Sequence, residues 1–79
     1  MALIIEVEIP AGPTIEEAIR ECVVFAQRNN VMVRTTINDV PMLICCGGAF
    51  GSDVQECTET FVREFLRRRK EIDDEVRDN

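Results

Sequence analysis

The stretch 52-SDVQECTETFVREFLRRRKEIDDEVR-77 decides how this chain is read. Within it Val54, Cys57, Phe61, Phe65, Ile72 and Val76 recur at intervals of three, four or seven. At about 3.6 residues per turn, that spacing puts them on one side of a single long amphipathic helix. Phe61 and Phe65 are two of the four aromatic residues in the molecule, so the preceding chain must offer them an apolar surface. The start of the helix is marked by Ser52 with Gln55, or Asp53 with Glu56, as capping pairs.

Immediately upstream, Cys46-Gly-Gly-Ala-Phe-Gly51 reads as a connection, and Val40 to Cys45 as a strand. Asn38-Asp39 is a two-residue turn of residues that accept positive φ, and Val31 to Ile37 is the strand it returns from. Pairing through that turn sets Ile37 opposite Val40, Thr35 opposite Met42 and Val33 opposite Ile44. Pro41 offers no N–H to a neighbour, which suits an edge strand. Further upstream, Thr14 and Glu17 form a capping box at the start of another helix. Its apolar stripe is Ile15, Ala18, Ile19, Cys22, Val23, Phe25 and Ala26, with Val24 stranded among polar neighbours. Asn29-Asn30 reads as its stop. Leu3 to Ile9 alternates as a half-buried strand, ended by Pro10-Ala-Gly-Pro13.

The layout is therefore α+β, β-α-β-β-α, within a single domain spanning residues 1–79. A parallel pair joined by a right-handed crossover helix gives the strand order 1-2-3, with strand 3 an edge and both helices on one face. The uncovered face then carries Ile4, Met32, Leu43 and Cys45 beside Glu6, Glu8 and Arg34. A helix of twenty-five residues spans roughly 37 Å against about 23 Å for a seven-residue strand. Its last turns, with Ile72 and Val76, are expected to overhang the sheet and to offer a surface for self-association.

Composition narrows the chemistry. The net charge is −6, and residues 1–62 hold nine acids against three arginines, whereas residues 63–79 hold six of each sign. An acidic body repels a phosphate backbone, which argues against direct nucleic-acid binding. The chain has no histidine or tyrosine and a single lysine, Lys70, so general acid–base or nucleophilic catalysis lacks its usual parts. Cys22, Cys45, Cys46 and Cys57 show no CxxC spacing and read as structural thiols, with no metal or cofactor implied. The Gly47–Gly51 segment lacks the lysine and spacing of a P-loop. Arg67, Arg69 and Lys70 stand four residues before Glu71, Asp73 and Asp74, the spacing of intrahelical ion pairs. No apolar run reaches the ~20 residues of a membrane span, and the start lacks a signal peptide's pattern, which leads to the expectation of a soluble cytoplasmic protein.

The strand with its Pro/Gly turn, the capped acidic helix Thr14-Ile-Glu-Glu-Ala-Ile-Arg20 and the Asn38-Asp39 hairpin resemble the layout of many small phage-encoded proteins. The likeness covers residues 3–45. Among such proteins, small acidic anti-CRISPR inhibitors are a class of varied folds, some of which bind positively charged nucleic-acid grooves of a CRISPR effector by imitating DNA. The resemblance implies a non-enzymatic protein-binding inhibitor in the host cell cytoplasm, with an effector subunit as partner. Glu6 and Glu8 on the strand face, or Glu16, Glu17 and Glu21 on the first helix, would stand in for phosphates. The alternative is a homodimeric phage accessory or structural protein built on the overhanging helix.

Overall fold

The hairpin turn fixes the sheet. Asn38 and Asp39 both adopt positive φ, 48° and 67°, the two-residue turn whose twist matches that of the strands it joins. The computed structural model describes residues 3–9, 12–47 and 53–77, the last three by their backbone alone. The elements are β1 (Leu3–Glu6), α1 (Ile15–Asn29), β2 (Val31–Ile37), β3 (Val40–Ile44) and α2 (Val54–Arg77). The sheet order is β1-β2-β3, with β1 parallel and β3 antiparallel to β2. Its register sets Ile37 opposite Val40, Thr35 opposite Met42 and Val33 opposite Ile44, as the turn requires.

Alternation along the strands shows where the helices lie. Val31, Val33, Thr35 and Ile37 of β2 and Val40, Met42 and Ile44 of β3 are buried, while Arg34, Thr36, Pro41 and Leu43 between them are exposed. Both helices cover that one face. The core joins Ile19, Cys22, Val23 and Ala26 of α1 to Cys57, Phe61 and Phe65 of α2 over these strand residues. Phe65 is fully buried.

Capping matches the chemistry of the ends. Thr14 Oγ1 accepts the Glu17 N–H at 3.2 Å, and Asn30 closes α1 in the left-handed conformation, its N–H bonded to the Ala26 carbonyl. Asp53 caps α2 by accepting the Gln55 N–H at 2.9 Å. The alternative cap at Ser52, the turn residues Pro10 and Ala11, and residues 48–51 of the glycine segment lie outside the described residues.

The edge at β3 is closed twice. Ile37 and Val40 flank the turn as a hydrogen-bonded pair, so the backbone of Pro41, one residue on, faces away from β2. Proline has no N–H to offer there, and its carbonyl accepts a hydrogen bond from Arg68 Nη1 of α2 at 2.9 Å. A strand edge blunted in this way is a poor template for another chain.

Several expectations are corrected. β1 ends at Glu6, because the parallel ladder closes with the Val7 N–H donating to the Arg34 carbonyl, and residues 7–9 run on outside it. β3 ends at Ile44, and Cys45 packs against the core rather than joining the uncovered face. Phe25 lies outside the buried stripe and is 40% exposed. Among the described residues Arg69 and Lys70 form no ion pair with Asp73 or Asp74. Arg67 does pair with Glu71, as the spacing implies, and it also bonds Glu64, while Arg68 bonds Glu64 at 2.9 Å. Glu64 precedes its arginines, the order the helix dipole favours.

Those two arginines hold the Glu64 carboxyl well below the usual range, from 4.5 down to about 2, chiefly through the hydrogen bond from Arg67 and then that from Arg68. A depressed folded-state pKa adds stability that is complete above about 4.5 and is lost as pH falls toward 2. Acid titration of Glu64→Gln should therefore show a flatter decline in stability across that window than the parent chain. An identical decline would mean that the Glu64 network does not form. Phe65→Ala should cost about 3–5 kcal/mol in denaturant unfolding, against a total of roughly 4–12 kcal/mol for a domain of this length. A loss below about 1 kcal/mol would show that α2 does not organise the core.

Candidate functional site

Chain geometry divides the acidic residues into two sets. Glu6 and Glu8 lie on the strand side, and Glu16, Glu17 and Glu21 lie on α1, in the layer across the sheet. All five are exposed. They do not form one continuous acidic surface, so a single groove in a partner can take only one set.

Neutralisation separates the members further. Glu6 faces Arg34, its register neighbour on β2, at 3.6 Å. Glu16 meets Arg20 at 3.4 Å. Arg20 also donates to Gln55 Oε1 of α2 at 2.9 Å, and Gln55 Nε2 donates to Glu59 at 3.0 Å. A chain of polar contacts, Glu16–Arg20–Gln55–Glu59, thus ties the two helices together at the surface. Among the described residues, Glu8, Glu17 and Glu21 have no ion-pair partner. Glu17 and Glu21 are four apart on α1, which sets their Cβ atoms about 5–6 Å from one another. Like charges at that spacing cost a helix a few tenths of a kcal/mol, so stability alone does not account for them.

Next to these carboxylates is an apolar strip. Val24 is half-buried, and Phe25 is exposed one turn beyond Glu21. Together with Arg20, Glu21, Arg28 and Asn29 they line a shallow recess on the outer side of α1. The reason is the choice of residues beneath. Ala18, Cys22 and Ala26 are small and buried, as are Ile19 and Val23, and these five fill the space between α1 and the sheet. Phe25 falls beyond the edge of that stripe. Sequence periodicity places it in the core because its angular position borders the stripe; the signal that pointed outward was Val24, an apolar residue on the polar side.

The remaining candidates are placed less favourably. On the uncovered sheet face, Ile4 neighbours Met32 and Leu43 neighbours Arg34, a mixed surface in which Ile4 and Leu43 are exposed. On α2, Leu66 is 55% exposed beside the buried Phe65, and Ile72, 37% exposed, shares a shallow recess with Pro41, Arg67, Arg68 and Glu71. The side chain of Val76 lies outside the described residues.

The thiols have a different character. Burial pushes the Cys22 thiol up to about 11, with the neighbouring Glu21 charge adding to the shift. Cys45 is raised by burial and then by Cys57. Cys46 is pushed up to about 11 by burial and by its contact with Cys57. Its Sγ lies 3.2 Å from the Cys57 Sγ, a proximity that sequence spacing did not reveal. Among the described residues, no three His, Cys, Asp or Glu side chains form a group able to hold a metal ion. Among the same residues, no helix is long and apolar enough to cross a membrane.

The chain matches no protein-family model, no curated protein and no solved structure.

The outer side of α1 makes a prediction about stability. Phe25→Ala should cost about 1 kcal/mol or less in denaturant unfolding, far less than the core substitution at Phe65. A cost above about 3 kcal/mol would place Phe25 in the core and remove it from the recess.

Proposed function

We propose that this chain is a non-enzymatic protein-binding inhibitor whose acidic surface enters a basic, nucleic-acid-binding groove of its partner. The observation that supports the reading is the outer side of α1, where the unneutralised Glu17 and Glu21 stand beside the exposed Phe25. Carboxylates on an acidic body steer it toward a positive groove, a field screened over about 8 Å at physiological salt. Once there, a partly exposed aromatic ring supplies the desolvated anchor that charge alone does not. Glu16 contributes to the field, although Arg20 offsets it. Glu6 and Glu8 form a second, weaker acidic surface, because Arg34 offsets Glu6.

The resemblance of residues 3–45 to the layout of small phage-encoded proteins, among which acidic anti-CRISPR inhibitors are a class, makes a CRISPR effector the partner to try first, with the host cytoplasm as the setting. In that role the acids imitate phosphates, and the chain needs no cofactor and touches no nucleic acid directly. A homodimeric accessory role is favoured by one separate observation, the exposure of Leu66 and Ile72 on α2. Truncation after Lys70 removes Ile72 and Val76 and, on that reading, converts a dimer to a monomer in a molar-mass measurement.

The test uses a guide-loaded CRISPR effector and its target DNA. The parent chain should block DNA binding, and the block should weaken as salt rises. Reversing Glu16, Glu17 and Glu21 together to lysine should raise the concentration needed for half-inhibition at least tenfold while leaving the melting temperature within a few degrees. Reversal of Glu6 and Glu8 should have a smaller effect. Inhibition that survives the α1 reversals, or is absent from the parent, would reject this assignment.

A further inference from the structure

We infer that Cys46 and Cys57 are a disulfide-forming site, oxidised by a small-molecule disulfide such as oxidised glutathione, which clamps the start of α2 to the end of β3.

The two residues come from different elements. Cys46 follows β3, two residues after Ile44, and is half-buried. Cys57 sits in the first turn of α2 with its side chain in the core. The fold brings their sulfurs to 3.2 Å, closer than ordinary sulfur contact and about 1.1 Å from a bonded distance of about 2.05 Å. Cys57 is held by the helix, whereas Cys46 lies outside regular structure, where a change in its side-chain torsion needs no strand or helix to move. All four cysteines are thiols in this structure. Burial pushes the Cys46 thiol up to about 11, so Cys46 reacts slowly near neutral pH and persists reduced where no oxidant is supplied.

The reaction balances as two exchanges. The half-exposed Cys46 loses its proton and attacks one sulfur of glutathione disulfide, expelling a glutathione thiolate and leaving a mixed disulfide. The Cys57 sulfur, already in contact, then loses its proton and attacks the Cys46 sulfur, expelling the second thiolate. The protein gives up two hydrogens in total, and one glutathione disulfide becomes two glutathiones. The new bond closes a ring over the ten residues between the cysteines. Cross-linking a loop of this size restricts the unfolded chain and should raise the melting temperature by about 10 °C.

The experiment incubates the full chain with oxidised glutathione and reads intact mass, melting temperature and a non-reducing peptide map cut at Asp53 or Glu56. The inference predicts the loss of two hydrogens, linked Cys46 and Cys57 peptides, and the rise in melting temperature, all reversed by dithiothreitol. Cys46→Ser and Cys57→Ala should each abolish the intramolecular product, and Cys22→Ser should leave it intact. The map of the parent chain decides the question even where a variant folds poorly. A Cys45–Cys57 link, a retained glutathione adduct, or four unmodified thiols would overturn the assignment.

Discussion

Phe65 is the side chain on which the rest depends. It is fully buried, and with Phe61 and Cys57 it presses α2 onto the same sheet face that α1 covers. A chain of this length has few large apolar side chains, and among the described residues neither Phe61 nor Phe25 is buried as completely. Removing its ring would open a cavity that neither helix can fill without leaving the sheet. The hairpin, the caps and the surface ion pairs refine an arrangement that this burial makes favourable.

Placing α2 in that position has consequences at both ends of the helix. Near its start, Cys57 is carried against Cys46 and Gln55 against Arg20, which joins the helices at the surface. Further along, Arg68 reaches the Pro41 carbonyl and closes the β3 edge, while Glu64 holds Arg67 and Arg68 in place. Leu66, next to the buried Phe65, is exposed, and Ile72 is partly exposed at a recess it shares with Pro41. The packing that stabilises the body also leaves the outer side of α1 open.

The fold was legible in the sequence because its signals are local and agree with one another. The four-residue spacing of Cys57, Phe61 and Phe65, the Asn38-Asp39 turn and Pro41 each restrict the topology, and together they leave one strand order. The candidate surface was legible only in part. Exposure of Glu16, Glu17 and Glu21 follows from helical periodicity, but the link from Arg20, the partner of Glu16, to Gln55 of α2 spans thirty-five positions. Phe25 was misplaced because periodicity gives an angle about the helix axis and not the width of the contact with the sheet. The Cys46–Cys57 contact depends on how the chain turns between β3 and α2, which no spacing rule specifies.

The central claim is that the open side of α1, with Phe25 beside Glu17 and Glu21, is the surface that meets a partner. Covalent side-chain footprinting of the chain, alone and bound to a guide-loaded CRISPR effector, examines that claim most directly. The account predicts that labelling of Phe25 falls several-fold on binding, while Leu66 and Ile72 label as they do in the unbound chain. Unchanged labelling at Phe25, with protection at Leu66 and Ile72 instead, would contradict it.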